Sequence, residues 1–447
     1  MTEGTDPLML DRLLDRVEQR DFTIGIIGLG YVGLPLALTA VARGFRVLGF
    51  DVEQARVDQI MAGGTVIKHI PGEQFAAPIA ERRFEATSDM ARLAEPDAIL
   101  IAVPTPLDKH QDPDLTYVEK STASIAAALR PGQLVVLEST TWPGTTREIM
   151  QPILEAKGLK AGTDFFLAFS PEREDPGNAK FSNAAIPKVV GADDAGSLKL
   201  ACALYDALVT GTVPVSSSAT AEAVKLTENI FRSVNIALVN ELKIIFDRMG
   251  INVWEVIEAA KSKPFGYMAF YPGPGLGGHC IPIDPFYLTW KAKEFETSTR
   301  FIELAGQINT AMPNYVIARL AEALDRQTGR GLNGAKVLLI GMAYKKNVDD
   351  MRESPALKLT HLLEDRGSTV DYHDPHIPEV PMTRDHPEFA GRRSVALSPA
   401  NLAGYDVILI ATDHDEIDWA HVVAHSKLVV DTRNVCAAIS SDKVVRA

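Results

Sequence analysis

The stretch GPGLGGHCIPIDP, residues 273–285, sets one cysteine, Cys280, behind four glycines and a proline, with Asp284 four residues further on. A thiolate is a potent nucleophile toward carbonyl carbon, and glycines on its approach let backbone and ligand come close. A single cysteine is also a good apolar filler, and most in intracellular chains are inert. Other residues could join Cys280 in such chemistry. Lys225 and Asn229 stand at i and i+4 of a long helical pattern and so project from one face, as two donors for an oxyanion or as ordinary helix surface. Glu172 closes the apolar run FFLAFSPE and Thr140 closes VVLEST, both where a buried strand would end.

The elements that must position these groups follow from periodicity. Residues 11–20 read as an amphipathic helix. FTIGIIGLGYVGLPLALTAVARGFRVLGFDVE then runs strand, glycine turn, helix, strand, with further strand runs at 98–104, 134–140 and 165–173. Strands alternating with helices imply a doubly wound parallel sheet. From Ala219 a long helical pattern without internal proline or glycine runs to Gly250, and helical segments continue to about residue 326. A second strand-turn pattern opens at GAKVLLIGMAYK, with later strands at TVDYHD, DVILIAT and KLVVDTR. The expected fold is α/β in three parts: a Rossmann-like domain over 1–215, a central helical region over 216–326 and a smaller Rossmann-like domain over 327–447.

GLGYVG places Gly28, Gly30 and Gly33 between a strand and a helix, the spacing of a dinucleotide turn. The helix N-terminus offers free N–H groups to a pyrophosphate. Asp51 closes the next strand about twenty residues on, where a ribose diol is held, and its charge repels the extra phosphate of NADP. NAD is therefore the expected cofactor, with Arg56 one turn into the following helix as a further contact. AVPTP brings Pro104 and Thr105 to the carboxyl edge of a later strand, where ligands sit in open sheets. In the second domain GMAYKK keeps Gly341 but has Ala343 where a second glycine would stand. Lys345, Lys346 and Arg352 follow that strand, either as a grip for a nucleotide's phosphates or as a solvated basic loop.

Bulk composition narrows the class. The 447 residues are 46% hydrophobic and 23% charged, ordinary for a globular protein. The net charge of −13 argues against a nucleic-acid partner. No apolar run reaches the length of a membrane span, and the charged N-terminus lacks a signal core. Cys202, Cys280 and Cys436 form no metal or disulfide pattern, so a cytoplasmic protein without a metal is expected.

GLGYVGLPLA, VPTPL, ESTTWPGTT, SPEREDPGN, AEAVKLTENIFRSVNIALVNEL, GPGLGGHCIPIDPFYL and GMAYKKNVDDMRESPAL fall in an order that resembles the UDP-glucose/GDP-mannose dehydrogenase family. SPEREDPGN with GHCIPIDP is most similar to its bacterial branch that oxidises UDP-N-acetyl-D-glucosamine at C6. The resemblance implies NAD in the first domain, bound by Gly28, Gly30, Tyr31, Val32, Gly33, Asp51, Arg56, Pro104 and Thr105, with Arg352 near the cofactor. It implies the nucleotide sugar on the last domain, contacted by Lys345, Gly277 and Arg173, and a homodimer or higher homo-oligomer built on the long helix. Cys280 matches the nucleophile, Lys225 and Asn229 the oxyanion pair, Asp284 and Thr140 residues around the reactive water, and Glu172 the carboxylate for thioester hydrolysis. Trp142 departs from the family's usual residue in ESTTWPGTT, which leaves the choice between Thr140 and Thr141 open. The implied reaction takes an alcohol to a carboxylate with two NAD through a cysteine thiohemiacetal and thioester. UDP-N-acetylgalactosamine, UDP-N-acetylmannosamine and UDP-glucose are alternative substrates, and a two-electron NAD alcohol dehydrogenase is the alternative chemistry.

Overall fold

A computed structural model of the chain describes residues 7–67, 70–108, 112–173, 185–278, 281–383 and 386–447. It contains two compact units, Met1–Glu228 with Phe286–Ser298, and Asn229–Pro285 with Thr299–Ala447. The division falls inside one continuous helix, Ser218–Met249, which both units share.

The first unit is built on eight strands: β1 (Thr23–Ile27), β2 (Arg46–Phe50), β3 (Phe84–Thr87), β4 (Ala98–Ile101), β5 (Leu134–Leu137), β6 (Phe166–Phe169), β7 (Lys188–Ala192) and β8 (Thr212–Val215). Their order is β3-β2-β1-β4-β5-β6-β7-β8. AILI, LVVL and FLAF are buried at every position, as strands covered on both faces must be. The apolar runs at 98–104, 134–140 and 165–173 thus do form strands, although only their first residues pair. The sheet departs from all-parallel at one place: β7 runs antiparallel to β6. Buried Asp97 anchors the N-terminal helix Pro7–Gln19 beneath β1, accepting from Arg16 at 2.9 and 2.8 Å, from Arg130 at 2.9 Å and from the Thr23 amide at 3.0 Å.

In the second unit, five strands, β9 (Lys336–Ile340), β10 (Thr369–His373), β11 (Val407–Ile410), β12 (Val429–Asp431) and β13 (Val444–Arg446), form an all-parallel sheet in the order β10-β9-β11-β12-β13. Helices Val253–Lys261 and Arg300–Thr328 belong to the same unit. Two fully enclosed asparagines organise its helical part. Asn240 on the long helix donates to Asn309 at 2.9 Å, Asn309 donates to the Ser233 carbonyl at 3.0 Å, and Asn240 accepts from the Gly273 amide at 3.1 Å. Buried amides are retained only when satisfied, so this network fixes where the glycine-rich loop leaves the helices. The long helix stops at Gly250, whose φ of +71° suits a residue without Cβ.

Glu222 locks the start of that helix to the turn after β5, accepting from the Gly144 amide at 2.5 Å, the Thr146 amide at 2.9 Å and the Thr146 hydroxyl at 2.7 Å. Burial pushes its carboxyl up to about 7, despite the hydrogen bonds from Thr146 and Gly144. The unfolded group titrates near 4.5, so folding takes up a proton between the two values, and stability falls as pH rises through that window. In urea titrations of the wild type against Glu222→Gln, the wild type's relative stability should grow as pH is lowered from about 8 to about 5, by up to ~3 kcal/mol. A difference that stays constant across the range contradicts a buried acid at Glu222.

Candidate active site

The sheet of the first unit reverses strand order between β1 and β4, and the glycine turn sits at that point. Gly28 has φ +97°, and a Cβ there would stand 2.6 Å from the Ala102 carbonyl oxygen that follows β4. At Gly33 a Cβ would meet the Gly28 carbonyl oxygen at 1.9 Å, so the helix packs on the strand only through glycine. At Gly30 no atom lies within 4 Å of the Cβ position, which leaves room for a ligand against bare backbone. Tyr31 completes the turn and Val32 caps the helix Gly33–Ala42. Asp51, closing β2, accepts from the Leu29 amide at 3.1 Å and the Glu53 amide at 3.0 Å. Arg56 lies 3.7 Å from Asp51 and 3.1 Å from Glu53. Pro104 is exposed, while Thr105 is buried and its carbonyl accepts from the Tyr287 hydroxyl at 2.8 Å. These groups fit a dinucleotide, with space beside Gly30, an anchored carboxylate for the ribose and a helix N-terminus for phosphate.

Past β6, Glu172 and Lys225 form a second group in the same unit. The Lys225 ammonium donates to the Glu172 carbonyl at 2.5 Å and stands 3.4 Å from Glu172 Oε2, with both side chains largely buried. Glu172 Oε1 is buried with no hydrogen-bond partner among the described residues. Burial raises the Glu172 carboxyl, and the nearby charges of Lys225 and Lys188 oppose the shift without cancelling it. An acid with a raised pKa and an open oxygen is suited to move a proton. Arg173 is paired with Glu228 and donates to the Pro187 carbonyl at 2.8 Å. Thr140 is half-buried, whereas Thr141 is enclosed with its hydroxyl unpaired among the described residues. Trp142 packs against Trp290, with ring centroids 4.6 Å apart, and Tyr287, at 6.2 Å, which explains a large aromatic at that position.

One turn beyond Lys225 on the long helix, Asn229 belongs to the second unit, where its amide donates to buried Asp284 and its carbonyl accepts from Arg232. Asp284 opens the helix Asp284–Ala292. His279 and Cys280 lie outside the described residues, but the glycines before them are placed. A Cβ on Gly277 would stand 2.7 Å from Tyr344 Cβ and 2.9 Å from Pro355 Cδ. At Gly278, with φ +83°, it would meet the Tyr344 ring at 2.8 Å, and the Gly278 amide donates to the Arg352 carbonyl at 3.1 Å. The glycine run thus has a packing cause of its own, the close seating of the loop on the segment after β9.

The basic cluster after β9 is not a free grip. Arg352 is chelated by Asp350, with contacts of 3.0, 3.0 and 2.6 Å, and Lys346 pairs with Asp415 at 3.0 Å. Lys345 is half-buried. The turn itself is sealed: Asp374 accepts from the Met342 and Ala343 amides at 2.7 and 2.9 Å, leaving no cradle for a pyrophosphate. A residue that sequence reasoning passed over is Arg433, just past β12 at the carboxyl edge. Its Nε donates to the Ala411 carbonyl at 2.8 Å, while its terminal nitrogens make no hydrogen bond among the described residues. Nη1 would stand 2.7 Å from a Cβ on Gly273. The arginine at the strand end VVDTR was the available signal.

The fold and these groups are those of an NAD-dependent nucleotide-sugar dehydrogenase. Residues 22–209 match the NAD binding domain of the UDP-glucose/GDP-mannose dehydrogenase family, residues 219–311 its central domain and residues 338–438 its UDP binding domain. The chain belongs to that family. It is 36% identical to the UDP-N-acetyl-D-glucosamine 6-dehydrogenase of Pseudomonas aeruginosa, over 89% of this chain and 92% of that one. It is 35% identical to the NDP-N-acetyl-D-galactosaminuronic acid dehydrogenase of Ralstonia solanacearum, over 95% and 99%. The solved UDP-D-ManNAc dehydrogenase of Pyrococcus horikoshii superposes with a TM-score of 0.83 at 32% identity, covering 95% of this chain and 97% of that one.

Asp51 faces no compensating arginine directly after it, and Arg56 is already engaged by carboxylates. Catalytic efficiency with NADP should therefore be at least about tenfold below that with NAD, since a 2′-phosphate would meet an anchored carboxylate. Comparable efficiencies would show that Asp51 does not select the cofactor.

Proposed function

We propose that the protein oxidises UDP-N-acetyl-D-glucosamine at C6 to the uronic acid, using two NAD per sugar and Cys280 as covalent nucleophile. The observation that carries the chemistry is the largely buried Glu172–Lys225 pair, with its raised carboxyl and an Oε1 that has no hydrogen-bond partner among the described residues. NAD at the Gly28–Gly33 turn supplies the hydride acceptor for each of the two oxidations. The first oxidation converts the C6 alcohol to an aldehyde. The Cys280 thiolate then forms a bond to the aldehyde carbon, and the second oxidation yields a thioester. Lys225 and Asn229 donate to the oxyanion of the thiohemiacetal: an amide NH2 has two hydrogens, so the one bound to Asp284 leaves another. Glu172 takes a proton from the water that attacks the thioester, releasing the carboxylate and the Cys280 thiol. Thr140 and Asp284 orient that water, and Lys345, Gly277 and Arg433 meet the nucleotide sugar.

The gluco sugar is supported by the resemblance of SPEREDPGN and GHCIPIDP and by the Pseudomonas aeruginosa relative. The other relatives act, by name, on galacto and manno sugars at nearly the same identity, so the panel below includes them. A homodimer belongs to the same reading, because Phe231, Leu238, Ile245 and Met249 expose apolar side chains along the long helix.

A panel of UDP-N-acetylglucosamine, UDP-N-acetylgalactosamine, UDP-N-acetylmannosamine and UDP-glucose with NAD, followed by absorbance and product mass, tests the assignment. Two NADH per UDP-N-acetylglucosamine are expected, with the highest catalytic efficiency of the four, and Cys280→Ser should form no uronic acid. A better efficiency with another sugar overturns the sugar, and one NADH per sugar overturns the four-electron reaction. Lys225→Ala should lower turnover by about 10² to 10³ with unchanged NAD affinity, the loss of one oxyanion donor. A parallel fall in NAD affinity would place Lys225 at the cofactor instead.

A further inference from the structure

The second unit holds a cavity of about 420 Å3 that none of the residues assigned above lines. The long helix contributes Lys243 and Asp247 to its wall, helix Arg300–Thr328 contributes Arg319, and β13 contributes Arg446. The N-terminus of helix Val253–Lys261, including Trp254, closes another side and presents the positive end of its dipole.

The charges here do not balance. Three cations line the cavity beside one carboxylate, Asp247, which is already shared, while a second, Glu322, holds Arg319 from outside the lining. Asp247 accepts from the Tyr315 hydroxyl at 3.0 Å and lies 3.4 Å from Arg319 Nε and 4.0 Å from Lys243. The Lys243 side chain is only 6% exposed, and its ammonium makes no hydrogen bond among the described residues. Arg319 Nε is buried without a hydrogen bond, while the other end of that guanidinium is held by Glu322 at 2.6 Å. The Arg446 guanidinium makes neither hydrogen bond nor ion pair among the described residues, although its backbone pairs with β12. Burial pushes the Lys243 amine down; Asp247 and, more weakly, Asp431 oppose this, and Arg319 and Arg446 add to it. A largely buried lysine whose nearest carboxylate stands 4.0 Å away is only weakly compensated, and cations gathered around a cavity are stabilised by an anion that fills it.

The geometry points to a binding site for a small organic phosphate or diphosphate, separate from the dinucleotide and nucleotide-sugar sites. Three cations on the lining, against Asp247 there and Glu322 behind Arg319, make the ligand an anion. The volume is in the range that holds organic ligands, roughly 300–1,000 Å3, and exceeds the need of a bare phosphate. Trp254, stacked on Tyr271 at 5.7 Å and 14°, supplies an apolar wall for the organic part. Nothing in the oxidation of a nucleotide sugar uses these residues, so the proposal stands or falls apart from that reaction.

The test is calorimetric titration of the full chain with inorganic pyrophosphate in the presence of saturating UDP and NAD, which occupy the nucleotide-sugar and dinucleotide sites. One saturable site is expected. Lys243→Met should weaken it about tenfold or more, the loss of one charged hydrogen bond, and Arg446→Ala should weaken it in the same direction. Lys243→Met exchanges a buried ammonium for an apolar group of similar length, a change that folded proteins accept, and Arg446 is exposed. UDP affinity should be unchanged in both variants. Absence of saturable binding under saturating UDP and NAD, or equal pyrophosphate affinity in the wild type and both variants, overturns the site.

Discussion

A parallel strand that turns directly into the next segment at a sheet's switch point leaves backbone amides that must be paired, and both units are organised around that demand. In each, a glycine with φ above +90° ends the first strand and fits against the residue after the neighbouring strand, Gly28 against Ala102 and Gly341 against Thr412. A carboxylate from the adjacent strand end then takes up turn amides, Asp51 in one case and Asp374 in the other. The outcomes differ because the side chains differ. Asp51 takes one amide of the glycine turn and leaves open space beside Gly30, so a dinucleotide can be admitted. Asp374 accepts both the Met342 and Ala343 amides, receives His414 at 3.1 Å and also accepts from the His376 and Ile377 amides, so its turn is closed. One architecture is thereby used once for NAD and once as a rigid base for the segment that carries Lys345.

Rigidity of the same kind explains why the candidate chemistry rides on the long helix. Lys225 is held by the carbonyl and carboxylate of Glu172, and Asn229 by buried Asp284. Held donors can be aimed at a developing oxyanion without reorganisation, which is the main requirement of such a site. Asn240 and Asn309 extend the arrangement to the exit of the glycine loop, and Tyr344 and Pro355 fix how closely that loop approaches the segment after β9. The glycines of that loop therefore answer to packing within the protein, whatever further closeness a substrate requires.

Local features were legible in the sequence because they depend on neighbours in the chain. The apolar runs, the helix from Ser218 to its stop at Gly250, the glycine spacing at 28, 30 and 33 and the carboxylate closing β2 each follow from periodicity or from a backbone angle only glycine adopts readily. Family membership was legible for the same reason, since its motifs are short and contiguous. What tertiary structure alone decided is which charges are already satisfied. Lys346 looked available until Asp415, 69 residues away, proved to neutralise it. Glu172 acquired its raised carboxyl from burial, Arg433 its place beside Gly273, and β7 its antiparallel pairing with β6. Charge pairing, burial and strand direction depend on groups far apart in sequence, and one chain read residue by residue contains no term for the distance between them.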